Sequence, residues 1–148
     1  MSVVPQQHYP EPYHPEELWD PEIRDLLATQ VDDLAKYHVV TLLHQHPEAA
    51  GDAAFYAASL GFHSVDDTRT VLEELVQCGL LRRELNRDTG NVAYYTSNDV
   101  DCWRKVTKLC SLNPQSESYR QVLRLLANRS LHRAELRKKY RRNGLECA

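Results

Sequence analysis

Residues Ser64 to Thr96, SVDDTRTVLEELVQCGLLRRELNRDTGNVAYYT, allow few folds, because they read as one helix running directly into a tight β-hairpin. Thr68, Leu72, Leu75 and Val76, with Val71 at the margin, recur at three- and four-residue intervals and give a helix one face to bury. Ser64 is placed to cap its start. Asp67 follows three residues on, where an acid meets the positive end of the helix dipole. Gly79 suits the left-handed conformation that closes a helix, and Leu80-Leu81 lead into an extended run. Asn86 to Asn91, with Gly90 able to adopt φ > 0, turns that run back into Val92-Ala93-Tyr94-Tyr95-Thr96.

Upstream, Met1 to Pro15 carries Pro5, Pro10, Pro12 and Pro15 and no apolar period, so residues 1-15 read as an extended, Pro-rich arm. Pro21 suits a first helical turn. Ile23, Leu26, Leu27, Val31 and Leu34 continue at helical spacing toward Leu42 and Leu43, as one long helix or two broken near Thr29 to Asp32. A short helix, Ala53 to Leu60, follows Pro47 and Gly51-Asp52 and is closed by Gly61. With the helix from Val65 it makes a helix-turn-helix unit. After the hairpin, Ser97 or Asn98 is placed to cap a helix whose stripe is Val100, Trp103, Val106, Leu109 and Cys110, ended by Asn113-Pro114. A final helix from about Ser116 has a modest apolar face, Tyr119, Val122, Leu123 and Leu126, and then becomes a basic run.

The order helix, Gly-Leu-Leu, basic strand, Gly-containing turn, Tyr-Tyr-Thr strand resembles the reading helix and wing of MarR- and ArsR-like winged-helix regulators, over roughly Val31 to Asn113. The resemblance implies a mainly α fold with a small β-hairpin wing: a winged helix-turn-helix domain over 16-113, with a C-terminal helix and basic tail over 114-148. It also implies double-stranded DNA as partner, a role in transcription regulation, and a homodimer built from the terminal helices. Packing of those helices onto their own domain is the competing expectation.

Charge is distributed unevenly. The net charge is −3, yet residues 1–67 hold two basic residues against twelve acids, and residues 119–148 hold nine basic residues against Glu135 and Glu146. Such a split implies a basic end that meets a polyanion or folds back on the acidic half. At 42% apolar and 26% charged, the chain is ordinary for one globular domain. It has no apolar run of the ~20 residues that span a bilayer and no secretory layout at its start, which predicts a cytoplasmic protein with no membrane partner. Cys78, Cys102, Cys110 and Cys147 form no Cys-x-x-Cys pair, as expected of reduced thiols.

With Leu72 inward, steps of 100° turn Asp66, Asp67, Thr70, Glu73, Glu74 and Gln77 outward, with Arg69 on the flank. Four of these six are acids, which DNA phosphates repel. Contact with DNA is therefore expected from Ser64, Arg69 and Thr70 on the reading helix and Arg82, Arg83, Arg87 and Asn91 on the wing. Arg137, Lys138 and Lys139 of the basic tail join them. Arg82 and Arg83 point to opposite faces of their strand, leaving one for a phosphate. The alternative is a protein-interaction module whose acidic helix, 66-77, binds a basic partner. The tail has a third use open to it, docking on that helix.

No nucleophile elbow or Gly-rich phosphate loop is present, so no enzyme is expected. His44 and His46 point apart on a helix, and a metal site would need distant residues such as His38, His63 or Cys78. No metal or other cofactor is expected.

Overall fold

The computed structural model describes residues 19–147, except for the side chains of Arg137, Tyr140 and residues 141–147. The Pro-rich arm, residues 1-15, lies outside the described residues. The chain forms α1 (Pro21–Thr29), α2 (Leu34–Gln45), α3 (Ala53–Leu60), α4 (Val65–Gln77), β1 (Leu81–Leu85), β2 (Val92–Thr96), α5 (Val100–Cys110) and α6 (Glu117–Cys147). The fold is mainly helical with one antiparallel hairpin, as the residue pattern implies. No helix among the described residues is long and apolar enough to cross a membrane.

Side chains set most of the element ends. Asp20 caps α1 by accepting from the Glu22 amide at 2.8 Å, and Pro21 follows in the first turn. The run that sequence leaves as one helix or two is two, because Asp33 accepts from the Lys36 amide at 2.8 Å and starts α2 anew. Ser130 of α6 adds a second cap there, its Oγ accepting from the Leu34 amide at 2.9 Å. Asp52 caps α3, which ends on Gly61 at φ 71°. Asp99, not Ser97 or Asn98, caps α5 by accepting from the Cys102 amide at 3.1 Å. Ser97 is engaged elsewhere, donating its hydroxyl to the Gly79 carbonyl at 2.6 Å.

The core lies where α1, α2, α4 and α5 meet, with Leu26, Val39, Leu43, Leu72, Leu75 and Val106 fully buried. Val122 and Leu126 add the first half of α6 to α2. Tyr56 of α3 is fully buried and donates to the Tyr94 carbonyl of β2 at 2.7 Å, tying α3 to the hairpin. Burial pushes its phenol up to about 12. Leu81 pairs with Thr96 and Leu85 with Val92 in the hairpin, and Gly51 forms an isolated bridge to Tyr94 on its far side.

The charge split resolves into local pairs. Most acids of α1 are answered by α5 rather than by the basic C-terminus: Lys108 binds Glu22 at 2.6 Å and Asp20 at 3.2 Å, and Lys105 binds Asp25 at 2.5 Å. Among the described residues, Arg129 and Arg133 of the C-terminal helix do fold back. Arg129 donates to the Leu27 carbonyl at 2.6 Å, and Arg133 binds Asp33 at 2.5 Å and Asp32 at 2.8 Å.

These contacts carry a pH prediction. The Glu22 amide and then Lys108 hold the Asp20 carboxyl below its ordinary value, and Lys108 holds Glu22 low. Burial alone raises Asp32, but Lys36 and Arg133 outweigh it and leave the group lowered. A carboxyl depressed in the folded state stabilises the fold above its unfolded pKa, and that contribution is lost as pH falls through the folded value. Urea midpoints should therefore hold from pH 7 to about pH 5 and fall steadily below about pH 4. A midpoint unchanged down to pH 3 would show that these pairs add nothing to stability.

Candidate nucleic-acid interface

The α3–α4 pair and the hairpin bring two of the candidate contacts, Arg69 and Asn91, to one cleft. Ser64 caps α4, its Oγ accepting from the Asp67 amide at 3.1 Å, which leaves the hydroxyl proton for another partner. Arg69 is exposed and bound to Asp66 at 2.7 Å. Thr70 is exposed but turns its hydroxyl back to the Asp66 carbonyl at 3.2 Å. Arg69 of α4 and Asn91 of the hairpin line one 310 Å3 cleft with Asp52, Val65, Glu73 and Tyr94.

The acidic outward face of α4 needs correction. Glu73 and Glu74 are only partly exposed and both have internal partners. Glu73 accepts from the Tyr94 hydroxyl at 2.6 Å and pairs with Arg83. Glu74 binds Lys36 of α2 at 2.9 Å, and Lys36 also holds Asp32 at 2.8 Å while being 6% exposed. A Lys so nearly buried keeps its charge through these two carboxylates, which raise its pKa against the effect of burial. Burial, and then Glu73, push the Tyr94 phenol up to about 12. The acids that remain on the outer face of α4 are therefore Asp66, already paired with Arg69, and exposed Asp67.

On the hairpin, Arg82 and Arg83 are both engaged within the chain. Arg83 is taken by Glu73. Arg82 lies over the Tyr95 ring at 4.3 Å and donates to the Thr96 carbonyl at 3.2 Å, but remains exposed. Arg87 stands at the turn, exposed, and no acid among the described residues pairs with it. The turn is held by its own backbone: the Gly90 amide donates to the Asn86 carbonyl at 2.7 Å, with Gly90 at φ 76°. The Asn86 side chain accepts from the Asp88 amide at 2.9 Å. The Asn91 side chain is exposed beside it.

The basic C-terminal run is helical to Cys147 rather than a tail. Lys138 and Lys139 are exposed on it, and the Arg137 side chain lies outside the described residues. α6 does not lie on the outer face of α4: its Val122 and Leu126 pack toward α2. Ser130 and Arg133 instead meet the start of α4, lining a second 310 Å3 cleft with Phe62, His63, Ser64 and Asp67.

Sequence reasoning missed the Glu73–Tyr94–Arg83 group and the Lys36 bridge. The four-residue spacing of Asp32 and Lys36 is the one signal that was there to be found. Among the described residues no group of three or more His, Cys, Asp or Glu side chains is arranged to hold a metal ion. Cys78, Cys102 and Cys110 are free thiols, all raised by burial. Compared with protein-family models, with curated proteins and with solved structures, the chain matches none.

Proposed function

We propose that the chain is a winged helix-turn-helix protein that binds double-stranded DNA and regulates transcription, with α4 as reading helix and the β1–β2 hairpin as wing. The observation that carries this reading is Arg87, an exposed cation at the hairpin tip with no acid among the described residues answering it. A narrow, A·T-rich minor groove concentrates negative potential and suits such a side chain. The internal pairing of Glu73 and Glu74 removes much of the repulsion that an acidic α4 would meet between two phosphate walls. Ser64, Arg69 and Asn91 then lie between the helix start and the wing, where phosphate contacts would fix the register. Binding as a homodimer belongs to the same reading and is read from the mass of the complex.

A salt titration on random and genomic duplex fragments tests the proposal. Binding should weaken steeply with salt and differ between sequences, and Arg87→Ala should lower affinity about tenfold, or ~1.4 kcal/mol. Absence of binding at ~50 mM salt would sink the DNA reading. A protein-interaction module using helix 66-77 would take its place, with Asp66 and Asp67 as its accessible acids.

A further inference from the structure

The C-terminal end of α2, the turn after β2 and the first two turns of α5 border a 700 Å3 cleft, and none of the candidate DNA contacts lines it. Small-molecule sites occupy about 300–1,000 Å3. Trp103 forms part of its wall, with Leu43, Pro47 and Val100 as the other apolar surface. The Trp103 ring is fixed, because its Nε1 donates to the Leu80 carbonyl at 2.9 Å, yet the side chain stays partly exposed. Val100 is 78% exposed and leaves its apolar surface open to a ligand.

The polar lining divides by whether it is already engaged. Asp99 accepts from the Cys102 amide, the Ser97 hydroxyl goes to the Gly79 carbonyl, and the Thr107 hydroxyl goes to the Trp103 carbonyl at 3.0 Å. Arg104 pairs with Glu22 at 2.8 Å and lies 3.7 Å from Asp101. The half-buried His44 imidazole and the exposed Asn98 side chain, in contrast, have no hydrogen-bond partner among the described residues. Both line the cleft.

Charge narrows the class of ligand. An anion would compete with Glu22 and Asp101 for Arg104 and share the cleft with Asp99. A cation would meet Arg104 and find the Asp99 carboxylate already holding an amide. An uncharged ligand meets neither cost. A flat ring stacks on the Trp103 face, while the Asn98 amide offers a donor and an acceptor side by side, the pair with which asparagine reads an adenine edge. The His44 ring nitrogens add one more hydrogen bond.

We propose that this cleft binds an uncharged, planar nitrogen heterocycle of the size of a purine nucleoside, stacked on Trp103 and hydrogen-bonded by Asn98 and His44. The site stands whether or not the chain binds DNA. It lies at the root of the hairpin: Thr96 of β2 lines it, and the Leu80 carbonyl that fixes Trp103 also accepts from the Ser97 amide at 3.1 Å.

The test is a titration of the isotope-labelled full chain with adenosine, inosine and cytidine, followed by amide and indole NMR shifts. At least one should give saturable shifts at residues 96–100, His44 and the Trp103 indole, with a Kd below ~1 mM. Val100→Glu puts a charge on the apolar wall at an exposed first helical position, where an acid suits the helix dipole and the fold is kept. It should weaken binding at least tenfold. Asn98→Ala should weaken it about three- to tenfold, the loss of one or two hydrogen bonds. Absence of saturable shifts with all three nucleosides up to ~5 mM would overturn the proposal. Shifts that survive Val100→Glu would overturn it too, since the ligand then sits elsewhere. Tighter binding of adenosine monophosphate than of adenosine would show that the cleft takes an anion, against the class proposed.

Discussion

Tyr56→Ala should destabilise the fold by about 3–5 kcal/mol, the cost of emptying a fully buried aromatic site. Tyr56 packs beneath the junction of α3 and β2 and donates its hydroxyl to the Tyr94 carbonyl at 2.7 Å. Tyr56→Phe removes the bond but keeps the ring, and should cost only about 1 kcal/mol. The small figure follows because the Tyr94 carbonyl also accepts from the Gly51 amide at 3.3 Å and is not orphaned. Urea denaturation of both variants measures the two terms. Equal losses would mean that the hydroxyl, not the ring, holds the hairpin to α3.

A second large loss is expected for Leu126→Ala, about 2–5 kcal/mol. Leu126 is fully buried and, with Val122 at 1% exposure, seats α6 against α2. The seat carries more than its own area, because Ser130 and Arg133 reach the start of α2 only while α6 is docked. Hydrogen exchange should therefore show protection lost at Leu34 as well as within α6. Exchange confined to α6 would mean that its docking does not support α2.

The α3–α4–hairpin order was legible because its signals are local. Ser64 and Gly61 lie within a few residues of the ends they set, and the period of Thr68, Leu72 and Leu75 belongs to one helix. Contacts between distant residues were not legible. Angular steps turn Glu73 and Glu74 outward, but partly exposed glutamates reach sideways, and their partners Tyr94 and Lys36 come from other elements. Position offers Ser97 or Asn98 as the cap of α5, but the Ser97 hydroxyl goes to the Gly79 carbonyl and Asp99 caps the helix. The basic run looked like a tail because its apolar period fades after Leu126. Leu, Ala, Glu, Lys and Arg nevertheless sustain a helix by propensity, and Glu135 stands four residues before Lys139.

A two-stranded sheet has two open edges, and each is a template for another chain. The bridge between Gly51 and Tyr94 occupies the middle of the β2 edge, with the Tyr94 amide donating to the Gly51 carbonyl at 2.7 Å. That leaves β1 as the open side, a strand of five residues in which Arg82, Arg83 and Glu84 flank the edge with exposed charged side chains. Edge-to-edge growth between copies is thus blocked by backbone on one side and by solvated charge on the other. The hairpin therefore offers a second copy of the chain little free strand edge to extend.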